Sequence, residues 1–337
     1  MIKGEMTMCT SLTYSTVDGH HFLARTMDFS FELNGNPLFL PRQHQWQPVL
    51  EKQAIQNQYA LMGAGAKLGD QYLVADGFNE HGLGCAELYF AHAAVYEPQP
   101  VPNKLNLVAE EFIVWVLGNY QTLEEVAADL DNVRIIESDQ GVMGANQPLH
   151  WILSDRSGKT MVIEPRGNGL QLIDDPVGVM TNTPDLDWHI KNLSNYLNLQ
   201  PQPFMERPFG NYQAGPFSQG TGTQALPGSY TPPDRFVRAA YSRQYMPEAN
   251  NVAEGVNHIL HILDNVTIPK GVNIGSGGSS DYTQYQGISG LNNLAYYMVN
   301  YDNRHVYQTN LTTDLIENQK EPVIYHLPQG QQNTILN

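Results

Sequence analysis

The order of periodicities along this 337-residue chain limits its fold more than any single motif does: strand-like, helix-like, strand-like, helix-like, strand-like. The first block opens with a hairpin signal. Segments Cys9–Thr16 and His20–Asp28 are rich in Thr, Tyr, Leu and Phe, and Val17-Asp18-Gly19 supplies turn residues between them. Strands are expected at Tyr59–Met62, Gln71–Ala75 and Leu83–Phe90, with Asn79–Gly82 as a turn, so the N-terminal third reads as an antiparallel sheet. Helices are expected over Asn106–Tyr120, from its apolar spacing, and from Thr122, whose Glu125 three residues on makes a capping box. Strands resume at Val133–Glu137, His150–Ser154 and Thr160–Glu164. Helices follow at Pro184–Tyr196, Pro233–Tyr245 and Val252–Leu263, and strands at Tyr282–Ile288, Leu294–Tyr301 and His305–Leu311 close the chain. Two antiparallel sheets with helices outside satisfy this order: an α+β fold of four αββα layers, a single domain over residues 9–337. The Gly-, Pro-, Gln- and Ser-rich stretch Pro201–Pro233 reads as a long loop of functional or interfacial use.

Composition excludes several function classes. The formal net charge is −16, which disfavours nucleic acid as a partner. No run approaches the ~20 apolar residues that cross a bilayer, and residues 1–8 carry no apolar signal core, so no membrane partner and a cytoplasmic location are expected. There is no phosphate-binding glycine loop and no zinc signature. Two cysteines, Cys9 and Cys85, make no disulfide framework. Cys85 reads as a small buried apolar residue.

Cys9 is the candidate for chemistry. A thiolate attacks acyl carbons well, provided that a base or a lowered pKa activates it. If Cys9 were the first residue of the mature chain, its own α-amine, with a pKa of about 8, would serve as that base. Arg25 and Asp28 end the facing strand. The hairpin returns them to Cys9, where Arg25 would stabilise a thiolate and Asp28 would hold the α-amine. Met27 and Phe29 flank Asp28 and are candidates for the wall of an apolar acyl pocket.

The segment MCTSLTYSTVDGHHFLARTMDFSFEL resembles the N-terminus of the choloylglycine hydrolase family, which includes penicillin V acylases and conjugated bile salt hydrolases. The resemblance continues through FNEHGLGCAELYF, LHWILSD, VMTNTPDLDWHIKNLSNY and PPDRFVRAAY and ends at YTQYQGIS and YDNRHV. It implies an N-terminal-nucleophile hydrolase with an αββα fold, acting on small N-acyl substrates without metal or organic cofactor, and commonly homotetrameric through a loop that Pro201–Pro233 resembles. Residue by residue, it implies Cys9 as nucleophile, Arg25 and Asp28 beside it, Asn182 in Thr181–Pro184 as an oxyanion donor, and Arg235 as a second active-site arginine. It implies a further oxyanion donor in the Tyr89 backbone N–H. A tyrosine at 89, where bile salt hydrolases carry asparagine, favours a penicillin V acylase. N-acyl homoserine lactones and other N-acyl amino compounds are further candidate substrates. Eight residues precede Cys9, so the resemblance also implies that residues 1–8 are absent from the mature enzyme. A chain that kept them would be an inactive binding protein.

Overall fold

The hairpin forms where its turn residues place it. Strands Met8–Ser15 and His21–Phe29 pair from Met8↔Asp28 to Ser15↔His21, and Gly19 turns the chain at φ 83°. The computed structural model describes residues 8–167, 169–275 and 277–337. Residues 1–7 of the expected leader, 1–8, lie outside them.

The hairpin does not join the strands that follow it in sequence. Its second strand pairs with Tyr282–Gly290, and a six-stranded antiparallel sheet runs Val179–Met180, Met8–Ser15, His21–Phe29, Tyr282–Gly290, Ala295–Asn300, Asn303–Asn310. The other early strands build an eight-stranded antiparallel sheet in the order Leu170–Asp174, Thr160–Pro165, Leu149–Ser154, Gly84–Tyr89, Gln71–Asn79, Leu61–Leu68, Asn36–Leu40, Val323–Ile324. The N-terminal third therefore splits between two sheets rather than forming one.

Alternation along the strands decides the layering. Leu23, Ala86, Leu88 and Ile152 belong to a core that joins the two sheets and extends to helices Pro232–Tyr245 and Val252–Asp264. Leu61, Val74, Cys85 and Trp151 face the opposite way into a second core under helix Phe112–Asn119. The result is helices, six-stranded sheet, eight-stranded sheet, helices: the four αββα layers of an α+β fold. Among the described residues no helix is long and apolar enough to cross a membrane.

Several elements depart from expectation for local reasons. Helix formation over 106–120 starts only at Phe112, after a turn of 3₁₀ helix at Ala109–Glu111. Leu105–Leu107 is a strand parallel to Val133–Ile135. The Asn106 side chain holds that strand in place by donating to the Val101 and Lys104 carbonyls, and Glu111 Oε2 accepts the Val108 N–H at 3.0 Å. The strand expected at Tyr59–Met62 runs instead over Leu61–Leu68 through small residues. Gly63 permits this, because a Cβ there would lie 2.0 Å from the Asp76 carbonyl oxygen on the neighbouring strand. Thr122 caps helix Leu123–Asp129 as expected, though the Glu125 carboxylate takes the Gln121 N–H at 2.7 Å rather than closing the box on Thr122. Within the long Pro201–Pro233 stretch, Arg207–Phe209 and Tyr212–Ala214 form a small hairpin with Phe209 and Tyr212 exposed.

Candidate active site

Cys9 lies one residue into the first strand, and its side chain points to the inter-sheet face. Register pairs Cys9 with Met27 and Ser11 with Arg25, so Cys9, Arg25, Met27 and Phe29 share that face, while Thr10, Thr26 and Asp28 share the helix-side face. Arg25 Nη2 lies 2.8 Å from Cys9 Sγ, and Cys9 is 3% exposed. Burial pushes the thiol up; Arg25, the Asp28 backbone N–H and Arg235 pull it back.

Arg25 owes its position to a defect in the larger sheet. Strands Gln71–Asn79 and Gly84–Tyr89 pair only at Asp76↔Ala86, Gly77↔Cys85 and Phe78↔Gly84, then diverge. Arg25 Nη1 bridges the gap, donating to the Ala75 carbonyl at 3.2 Å and the Glu87 carbonyl at 3.0 Å. The Asp76 carboxylate lies 3.8 Å from Arg25 Nη1 and accepts the Tyr285 and Tyr296 hydroxyls, each at 2.6 Å. Gly287 leaves room for this, since a Cβ there would sit 2.2 Å from the Tyr296 hydroxyl. Burial opposes the charge on Arg25, but Cys9, Tyr285 and Asp76 outweigh it. Sequence reasoning did not single out Asp76, Tyr285 or Tyr296. The available signal was a charged residue at an inward strand position, which needs a partner to stay buried.

Asn182 and Arg235 close the other side. Asn182 Oδ1 accepts the Cys9 backbone N–H at 2.9 Å and Arg235 Nη2 at 2.6 Å, while Asn182 Nδ2 donates to the Tyr89 carbonyl at 2.8 Å. These contacts fix which end of the amide faces which group and leave one Nδ2 hydrogen free. Arg235, near the start of helix Pro232–Tyr245, also donates to the Cys9 carbonyl and to Thr10 Oγ1. The Tyr89 N–H is oriented by its strand. The Phe90 N–H bonds to the Pro148 carbonyl, so Tyr89 and Leu149 form a non-hydrogen-bonded pair, and the Tyr89 N–H and C=O both face away from that neighbour. The C=O reaches Asn182, so the N–H lies on the same edge.

Asp28 is fully buried, with Thr26 Oγ1 donating to one carboxylate oxygen at 3.0 Å and Thr283 Oγ1 to the other. Burial pushes its pKa up, against Arg235 and both threonines. It stands across the ladder from Met8, the residue that removal of the leader would take away.

Behind Asn182, His189 Nε2 lies 2.8 Å from the Asn182 carbonyl oxygen. Burial pushes the His189 pKa down to about 4. The unfolded value is about 6.5, so the unfolded chain binds the extra proton between the two. His189 therefore contributes stability that is fully present above about pH 6.5 and is lost as pH falls towards about 4, up to roughly 3 kcal/mol. Unfolding by urea between pH 4 and pH 7 is expected to show this slope, and His189→Gln, which keeps a donor near Nε2, is expected to flatten it.

A pocket opens at Cys9. Met27, Phe29, Leu33, Leu73, Ala75 and Leu149 make its wall apolar, and Tyr89, Glu87, Glu110 and Gln147 add polar groups. A second pocket, lined by Phe31, Gly65, Ala66 and Leu68 among others, shares Met27, Leu33, Leu73, Ala75 and Met143 with the first. The two are lobes of one site. Met27 and Phe29 thus sit in the wall, on the opposite face from Asp28. Cys85, by contrast, is a fully buried free thiol in the second core. Among the described residues no group of three His, Cys, Asp or Glu side chains is arranged to hold a metal ion.

Comparison with known proteins adds four findings. The pattern of the linear amide C–N hydrolases, choloylglycine hydrolase family, matches residues 9–325. The chain is 35% identical over 299 residues to the bile salt hydrolase/transferase of Clostridium perfringens, covering 89% of this chain and 91% of that protein. The crystal structure of a variant of the conjugated bile acid hydrolase from the same species superposes with a TM-score of 0.89 at 32% identity, covering 98% of this chain and all of the other, 100%. Similarity to the penicillin V acylase of Pectobacterium atrosepticum is more distant, 27% identity over 245 residues, covering 69% of this chain and 59% of that protein.

Proposed function

The chain belongs to the choloylglycine hydrolase family of linear amide C–N hydrolases, and on that premise we propose that it cleaves N-acyl amides with a bulky apolar acyl group, using Cys9 as an N-terminal nucleophile. The observation that carries this is the convergence on Cys9 of Arg25 at its sulfur, Asn182 Oδ1 at its nitrogen and Arg235 at its carbonyl. The family match begins at Cys9, which supports a mature chain that starts there.

In this mechanism, loss of residues 1–8 turns the Cys9 nitrogen into an α-amine, held by Asn182 Oδ1 and faced by Asp28. The amine takes the thiol proton, and the thiolate beside Arg25 attacks the amide carbonyl. The oxyanion is met by the free Asn182 Nδ2 hydrogen and the Tyr89 N–H. The protonated α-amine gives its proton to the leaving amine, which departs and leaves a thioester on Cys9. Water then attacks the thioester with the α-amine as base, releasing the acid and restoring the thiol. Asn182→Ala is expected to lower kcat by about 10² to 10³-fold with a much smaller change in KM. A change confined to KM would remove Asn182 from the oxyanion site.

For the acyl group, the phenoxyacetyl of penicillin V matches the apolar wall around Met27 and Phe29, with 6-aminopenicillanic acid as the leaving amine. Tyr89 is the sequence feature that ranks it first. Conjugated bile salts are the second reading. The continuation of the site into a second apolar lobe supports it, as do the relatives, whose own names are bile salt and bile acid hydrolases. Initial rates of amine release from penicillin V and from glycine- and taurine-conjugated bile salts decide between them, because kcat/KM ratios report acyl selectivity directly. The same reading includes a cytoplasmic homotetramer assembled through Pro201–Pro233, which native mass measurement checks.

A further inference from the structure

We propose that Glu87 determines acyl specificity: its carboxyl group, on the floor of the acyl lobe, selects acyl groups that carry a hydroxyl over the same groups without one. This rests on the hydrolase reading above and goes beyond it to the chemistry of the substrate.

The geometry comes from the splayed strands. Glu87 and Tyr89 alternate onto the same face of their strand, and where the neighbouring strand diverges that face opens into the cavity that begins at Cys9. The leaving amine must stay near the Cys9 nitrogen, which provides its proton, so the acyl group runs the other way, along Arg25 and Met27 into this lobe. Across an otherwise apolar wall it meets Glu87, Glu110 and Gln147.

The two carboxyl groups there differ in what they already hold. Glu110 Oε1 accepts the Met143 N–H at 3.3 Å, from the segment that closes the pocket. Glu87 Oε2 is sealed from solvent and has no hydrogen-bond partner among the described residues. A carboxyl group that lines a ligand cavity and keeps an oxygen without a partner is poised for a partner on the ligand. Burial pushes the Glu87 carboxyl well above its usual range, with Glu110 adding to the push and Arg25 opposing it, which favours its neutral form. A neutral carboxyl both donates and accepts. A hydroxyl does the same, so one hydroxyl on the acyl group answers both halves of it. An all-hydrocarbon acyl group buries Glu87 unanswered.

The test uses matched pairs of amides of one amine that differ by a single hydroxyl: phenoxyacetyl against 4-hydroxyphenoxyacetyl, and dodecanoyl against 12-hydroxydodecanoyl. With the wild-type enzyme, kcat/KM is expected to favour a hydroxylated member by roughly tenfold or more in at least one pair. Glu87→Met is expected to erase or invert that ratio, and Glu87→Gln, which still donates and accepts, to keep part of it. Alkylation of Cys9 by iodoacetamide, followed by mass, confirms that each variant retains its site. A wild-type ratio near one in both pairs, or a ratio that Glu87→Met leaves unchanged, overturns the proposal. If no amide is hydrolysed although Cys9 is N-terminal, the hydrolase reading has failed on these substrates. Calorimetric binding of the four free acids to wild type and Glu87→Met then decides the Glu87 claim by the same ratios.

Discussion

Cys9→Ser is expected to lower kcat by about 10⁴-fold or more while leaving the urea midpoint almost unchanged. Serine is nearly isosteric with cysteine, and the backbone contacts at residue 9, from the Cys9 N–H to Asn182 and from Arg235 to the Cys9 carbonyl, do not involve the sulfur. The site therefore stays assembled. What changes is acidity. A thiol ionises at about 8.5, within reach of an α-amine, whereas an alcohol lies far beyond it. Arg25 then has a neutral hydroxyl rather than a developing thiolate to stabilise. Steady-state turnover with unfolding of the same preparation checks both halves of the statement. Activity within tenfold of wild type removes Cys9 as nucleophile.

The second large effect concerns the nitrogen rather than the sulfur. A chain whose residue before Cys9 cannot be removed keeps an amide at that position, with no lone pair to take a proton. General acid–base catalysis by one positioned group contributes about 10² to 10⁴-fold, and in the proposed mechanism the same group serves both acylation and thioester hydrolysis. Such a chain is expected to lose at least about 10³-fold in kcat, although Cys9 remains beside Arg25. Asp28 sharpens the expectation. It is buried, both its oxygens are engaged by threonine hydroxyls, and it faces Met8 across the ladder, so in the proposed mechanism it is set to pair with the α-ammonium that cleavage would create. Comparing the blocked chain with one that starts at Cys9, by turnover and by N-terminal mass, tests this directly.

Much of this was legible in the sequence, and the parts that were not share a physical reason. The hairpin could be read because its signal is local: alternation on either side of a turn that needs Gly19. The helix expected at Val252–Leu263 could be read from its one-sided apolar spacing, and it forms over Val252–Asp264. The partner of the hairpin could not, because His21–Phe29 pairs with a strand some 250 residues further on, and pairing at that distance leaves no local trace. The run Leu105–Asn119 keeps near-helical apolar spacing across Glu110 and Glu111, so periodicity alone does not show that Leu105–Leu107 is a strand and that the α-helix starts only at Phe112. At the site, Cys9, Arg25, Asp28, Asn182 and Arg235 stand out through family resemblance, and the structure brings them together. Asp76 and Glu87 each appear in sequence as a single acid within an apolar strand. Only the gap between two strands shows why Asp76 backs Arg25 and why Glu87 meets a cavity.

In the proposed mechanism Cys9, as the first residue of the chain, carries the acyl group. The measurement is the intact mass of enzyme acid-quenched within the first turnover on penicillin V or a conjugated bile salt, with the adduct located by peptide mapping. The expected species is a chain that begins at Cys9 and is heavier by one acyl group, bound to the Cys9 sulfur. Turnover by a chain that still carries Met8, or an acyl group on any other residue, would contradict it.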